Sequence, residues 1–313
     1  MFRIERYTPA AKGEWDAFVR SSRNGTFLLL RDYMDYHADR FADHSLLFYQ
    51  GSRLYALLPA NQRGDVLFSH QGLTYGGLLT SARCTAAAMR QLLVQLNDYL
   101  RGQHIARVEY KAIPYIYHRL PAEEDLYALW TVSRARLKER DISSAIRLSD
   151  RLPFAESRKS GLRKAQRAGV TVSESDDLPA FWQILDDNLL TRHGVHPVHS
   201  LAEIQLLQRR FPSQIRLFMA CVDRQPVGGT LLYLSDRVMH TQYISANPQG
   251  KAAGAIDMLF QHIINQLTWP QEWLDFGKST EQNSDQLNEA LIFQKEGFGA
   301  RAVCYDTYEW PLH

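Results

Sequence analysis

Cysteine is scarce in this chain. Its three cysteines, Cys84, Cys221 and Cys304, are odd in number and far apart, which excludes a disulfide framework and a zinc knuckle. Net charge is almost absent too. A formal +2 over 313 residues gives, as a bulk charge, no case for a nucleic-acid or membrane-surface protein. No apolar run approaches the roughly 18 residues that span a bilayer; the longest candidate, Pro226–Ser235, is far too short. The N-terminus is charged from Arg3 and so lacks the apolar core of a signal peptide. The expectation is a cytoplasmic protein that does not span a membrane. Full P-loop and dinucleotide glycine spacings are missing, as is a G-x-S-x-G elbow, so nucleotide hydrolysis, hydride transfer and serine hydrolysis have no motif. What is present is 45% hydrophobic and 22% charged residues, the balance of a soluble globular enzyme. The length suits two domains.

The two halves repeat one order of elements. In the first, an amphipathic stretch over residues 32–41 leads to strands at 45–49, 54–58 and 73–77. A helical segment at 85–100, a strand at 106–110, a helix at 123–130 and a strand at 144–148 follow. The second half runs 200–211, then strands 215–222, 226–234 and 238–244. A helix at 253–267, a strand at 273–276, a helix at 286–294 and a strand at 303–308 complete it. Such a pattern predicts an α+β fold of mixed sheets with helices, used twice, with a central cleft shared by the copies. The expected domains are 1–148, on the acceptor side, and 149–313, the donor-binding and catalytic side with a basic junction helix at its start.

That junction is chemically distinct. Between Arg147 and Arg167 lie seven basic residues against two acids, a local +5 that leaves −3 for the remainder. Pro153 can open a helix there, and Gly169 before β-branched Val170 can close it. At 100° per residue Lys159, Arg163, Lys164 and Arg167 share one arc, with Leu162 and Ala165 opposite. A solvated face explains this pattern; so does a face for a polyanion, a pyrophosphate or a tRNA backbone, with Arg158 included. A second candidate is the turn over Gln249, Gly250, Lys251, Gly254 and Ala255, whose small residues at a helix start can offer N–H groups to phosphate. An ordinary strand-to-helix turn accounts for it equally. His193, His196 and His199 invite a metal, but Gly194 and Pro197 interrupt the helix that would gather them. Ser200 and Glu203 form a capping box just beyond. No metal is expected. The third candidate is the run Asp275-Phe276-Gly277, then Ser279, Thr280 and Glu281, with Lys295 between two glycine-bearing turns. Asp275, Glu281 and His240 are each placed to act as a general base, and spacing singles out none.

Taken together, Arg163–Val170, Thr241–Tyr243, Leu274–Gly277, Leu287-Asn288 and Lys295–Ala300 resemble the Fem-like branch of the GNAT-fold (acyl-CoA N-acyltransferase-like) acyltransferases, as do Thr74–Gly77 and Ile113–His118. The resemblance implies a duplicated GNAT-like acyltransferase fold and transfer of an acyl or aminoacyl group to an amine. It implies that Lys295, in a Lys-x-x-Phe-Gly motif, acts near the reacting ester; Glu281 and Asp275 are further catalytic candidates from their placement alone. The turn from Gln249 to Ala255 occupies the place of the CoA pyrophosphate loop. Ile256 departs from the usual small residue there, which sets CoA against the pattern. Tyr75, Lys111, Tyr117 and His118 in the first half, with Gln242 and Tyr243 in the second, are the candidates for the acceptor; buried packing accounts for the tyrosines as well. Three readings follow. The first is an N-acyltransferase using acyl-CoA on an amine such as an amino sugar or a cell-envelope or polysaccharide precursor. The second is an aminoacyl-tRNA-dependent peptidyl or amide transferase. The third is a binding protein on a degenerate acyltransferase fold.

Overall fold

A computed structural model of the chain describes residues 1–281 and 285–312. Two compact units emerge: Met1–Asp141 together with the residues from Cys304 onward, and Ile142–Val303.

The first unit runs β1 (Phe2–Arg6), α1 (Lys12–Ser21), α2 (Arg31–Met34), β2 (Ala42–Asp43), β3 (Leu46–Gln50), β4 (Arg53–Leu58), β5 (Asn61–Arg63), β6 (Val66–Phe68), β7 (Leu79–Thr80), α3 (Ala86–Gly102), β8 (Arg107–Lys111), α4 (Glu124–Thr131) and the start of β9 (Arg136–Arg147). Strands β1, β3, β4 and β7 form an antiparallel sheet in that order. Helix α3 starts where the Thr85 side chain accepts from the Ala88 N–H, and it buries Met89, Leu92, Leu93, Leu96 and Leu100. That is the three-and-four spacing of one apolar stripe. The strand expected at 73–77 is instead a loop, because the chain turns through positive φ at His70 (72°) and Gly77 (82°). The stretch expected to be amphipathic over 32–41 shortens to α2 and one further turn, Asp35–His37.

The second unit takes up the end of β9 and continues with α5 (Glu156–Arg167), β10 (Thr171–Ser175), α6 (Leu178–His193), α7 (Leu201–Arg210), β11 (Ile215–Val222), β12 (Gln225–Leu234), β13 (Val238–Ala246), α8 (Pro248–Ala253), α9 (Ala255–Gln261), β14 (Trp273–Lys278), α10 (Glu289–Gly297) and the start of β15 (Arg301–Pro311). Its strands lie in the order β10-β11-β12-β13-β14-β9. Leu259, Phe260, Ile263, Leu274, Phe276 and Phe298 form the core between α9 and the sheet.

The repeated order is real: α3-β8-α4-β9 in one half answers α9-β14-α10-β15 in the other. Chain order nevertheless misplaces the last strands. Residues 307–311 of β15 pair with β8, and residues 143–147 of β9 pair with β14. Pairing, not sequence position, decides which unit a strand joins, so the division falls at 141/142 and again at 303/304. Among the described residues, no helix is long and apolar enough to cross a membrane.

Candidate active site

Strands β13 and β14 are parallel neighbours that stay paired only through Val238–Trp273, Met239–Leu274 and His240–Asp275. Both are bulged just past that point. On β13 the register to β12 moves from Thr241 to Tyr243, which leaves Gln242 as the extra residue. On β14 the register to β9 shifts between Asp275 and Lys278, with Gly277 at φ +75°. A bulge adds twist and bends its strand, and two at one level drive neighbouring strands apart.

The fork opens into a cavity of about 400 Å³. Ile244, Ser245 and Ala246 of β13 line it, with Phe276 of β14, Ile256 and Phe260 of α9, Leu291, Gln294 and Lys295 of α10, and Phe298. Phe260, Phe276 and Phe298 pack on one another with ring centroids 4.8–5.7 Å apart. Two further cations reach this space, Arg192 at the end of α6 and Lys251 of α8. Burial and the neighbouring Arg192 charge hold the Lys251 ammonium below its usual pKa, and its Nζ donates to Asn188 Oδ1. Two like charges beside a small cavity favour an anionic guest.

Lys295 is 5% exposed. Its Nζ donates to Gly277 O at 2.8 Å, Lys278 O at 2.7 Å and Ser279 Oγ at 2.9 Å. An ammonium has three donors, and all three are committed here. Burial pushes its pKa down to about 8, with the Asp275 charge opposing. Asp275 is fully buried and accepts from Ser143 Oγ, from the Gly277 N–H at 3.0 Å and from His240 Nδ1 at 2.9 Å. Lys295, Asp275 and His240 therefore meet around one residue, Gly277. A methyl group there would sit 3.2 Å from His240 Cε1.

The other expected residues are placed as follows. Glu281 is exposed on the turn after β14, where its N–H donates to Gln286 O; among the described residues it shares no hydrogen bond with Lys295 or Asp275. Lys159, Arg163 and Lys164 are exposed on α5, and Arg163 pairs with Glu156 at 2.6 Å. Arg158 points inward instead, to Asp257 at 3.0 Å and over the Phe298 ring. That helix packs closely on α9: a methyl at Gly161 would overlap the Asp257 carboxylate, and one at Gly254 (φ +77°) would overlap the Gly161 carbonyl. The Gln249–Ala255 turn is two short helices broken at Gly254, with Asn247 capping Gly250. Gly250 lies against the Val227 carbonyl, while Gln249 and Lys251 are exposed.

Gln242 is the half-buried bulge residue, and the Tyr243 hydroxyl lies 2.7 Å from His199 Nδ1. His196 pairs with Asp186, and the side chain of His193 lies outside the described residues. In the first unit Tyr75 donates to Thr26 Oγ1 and packs on Tyr117 at 4.6 Å. There Lys111 Nζ donates to Gln71 O and Leu73 O, and His118 Nε2 lies 3.0 Å from Ile113 O. Sequence reasoning did not reach Ser143, Asn188 or Arg192, and it left His240 as one of three. A histidine and an aspartate inside apolar strands were the available signal.

Residues 155–282 match the acetyltransferase (GNAT) domain family. No curated protein matches the sequence. Among solved structures, FemX aligns over 99% of this chain and 97% of its own, with a TM-score of 0.70 at 11% identity. The C-terminal domain of a putative lysylphosphatidylglycerol synthetase from Agrobacterium fabrum aligns over 98% and 92%, with a TM-score of 0.60 at 14% identity. A tandem GNAT protein from the clavulanic acid biosynthesis pathway covers 100% of this chain and 99% of its own, with a TM-score of 0.52 at 10% identity. At these identities the likeness is one of fold. Residues 155–282, within the second unit, thus match a GNAT acetyltransferase domain, and the chain as a whole has the Fem-like fold of two GNAT-like units.

Proposed function

We propose that this protein is an N-acyltransferase that moves an acyl group from acyl-CoA to the amine of a small acceptor, such as an amino sugar or an envelope or polysaccharide precursor. The fork cavity carries the reading. Its aromatic and aliphatic wall suits the apolar arm and acyl group of a thioester, while Arg192 and Lys251 suit its phosphates. The second unit is thus the donor side.

Acyl transfer needs the two reactants held together, the amine deprotonated and negative charge on the carbonyl oxygen met. With its three donors engaged, Lys295 contributes a fixed positive charge beside the cavity and holds the Gly277–Ser279 turn in place. Asp275 contributes through the groups it orients. In this reading no metal takes part.

The exposed cations of α5, Lys159, Arg163, Lys164 and Arg167, support a second reading, in which aminoacyl-tRNA is the donor. Release of free thiol from acetyl-, octanoyl- and palmitoyl-CoA, measured with and without a panel of amino sugars, tests the first. Amine-dependent release supports it. No release, alongside tRNA binding that weakens steeply with salt, favours the second. Donor binding without turnover of any kind favours a non-catalytic binding protein.

A further inference from the structure

The acyltransfer reading leaves one requirement unassigned, the group that takes the proton from the amine. His240 and Asp275 are the last residue pair before β13 and β14 separate, so they stand at the apex of the fork. On β14, Leu274 and Phe276 turn into the core shared with α9. Side chains alternate along a strand, so Asp275 faces the other side of the sheet, and His240 beside it does the same. An amine approaching from that side would meet the imidazole at the apex of the fork.

The ring is held for this task. An ionised carboxylate only accepts hydrogen bonds. At 2.9 Å from Asp275 Oδ2, His240 Nδ1 therefore carries the proton, and the free lone pair is on Nε2. Among the described residues Nε2 has no hydrogen-bond partner. Asp275 is in turn fixed by Ser143 Oγ and the Gly277 N–H. Gly277 lets the strand pass close under the imidazole, since only 3.2 Å separates its missing Cβ from Cε1. The groups around the ring are Tyr233 of β12, directly across the ladder, Asp275 of β14, Ser143 of β9, and Lys295 of α10 acting through Gly277.

We propose that His240 Nε2 is the proton acceptor for the attacking amine, with Asp275 and Ser143 as positioning residues. As the amine nitrogen bonds to the thioester carbon, its proton passes to Nε2. The carbon–sulfur bond then breaks with its electron pair on sulfur, and the imidazolium returns the proton to the departing thiolate. This rests on the acyltransfer reading above.

The test is thiol release from octanoyl-CoA with glucosamine and with water as acceptors, across pH 5–9, for wild type, His240→Ala, His240→Gln and Asp275→Asn. Acyl-CoA binding is followed by thermal shift in every variant. The expected result is a kcat lower by about 10²-fold or more in both His240 variants, with donor binding retained. Added imidazole should restore part of the rate to His240→Ala. Asp275→Asn should lower kcat without abolishing it. A His240 variant that keeps the wild-type rate overturns the assignment, as does a loss of rate that imidazole leaves unrestored. Failure of wild type to release thiol from any donor overturns the acyltransfer reading itself, and this inference with it.

Discussion

The buried ammonium of Lys295 makes protein stability depend on pH in a way that can be worked out beforehand. In the unfolded chain this lysine titrates at the ordinary 10.5; in the folded protein burial lowers that to about 8. Below pH 8 both states hold the proton, and the charged form bears its full desolvation cost. Between 8 and 10.5 the unfolded state binds the proton and the folded state releases it, so stability rises with pH. Integrated over those two values, the gain from pH 7 to pH 10 is about 2.5 kcal/mol, with a steepest slope of about 1.2 kcal/mol per pH unit. Other groups titrate in this range, so the measured quantity is the difference between wild type and Lys295→Met in urea unfolding at pH 7, 8, 9 and 10. Wild type should gain on the variant by that amount. At neutral pH the variant leaves two strand-end carbonyls without their donor, which offsets its escape from the buried charge; the trend with pH is unaffected. A difference that stays flat would show that Lys295 titrates as a solvated lysine, and would refute the buried clamp.

Three further predictions concern other parts of the second unit. Gly161→Ala forces a methyl into the Asp257 carboxylate and against the seat of Arg158; it should cost about 1–3 kcal/mol, read by urea unfolding. Replacing both Arg192 and Lys251 by alanine should weaken CoA binding about 10-fold or more, from the loss of charge-assisted contacts. Affinity for a phosphate-free pantetheine thioester should be unchanged, and calorimetry separates the two. Gly277→Ala must hold an L-residue at φ +75° and crowd His240; a stability loss of about 1–2 kcal/mol should accompany a fall in kcat with KM nearly unchanged.

Much of this architecture is legible in the sequence because local rules decide it. Gly169 closes the basic helix at φ +66°, and Ser200 with Glu203 forms the capping box its spacing announces. Strand β11 has the bounds its apolar run indicates. The exchange of last strands is not legible: β15 and β9 look alike as local patterns, and only long-range pairing tells them apart. Arg158 shows why a charge arc is a weak guide. One residue of a basic helix turned inward to Asp257, a carboxylate about a hundred positions away, and no periodicity records that. Helix α6, which carries Arg192 to the cavity, has polar residues scattered around its apolar ones, so its sequence marks no single face. The fork itself depends on two bulges whose effect appears only when the strands lie side by side.

The central claim is that the gap between β13 and β14 holds an acyl-CoA. Calorimetric titration of octanoyl-CoA into the purified protein tests it most directly. The account predicts saturable binding of one donor per chain, weakened by Arg192→Ala with Lys251→Ala and blocked by Ile256→Trp, which fills the cavity. Absence of saturable binding, or binding indifferent to both changes, would contradict it.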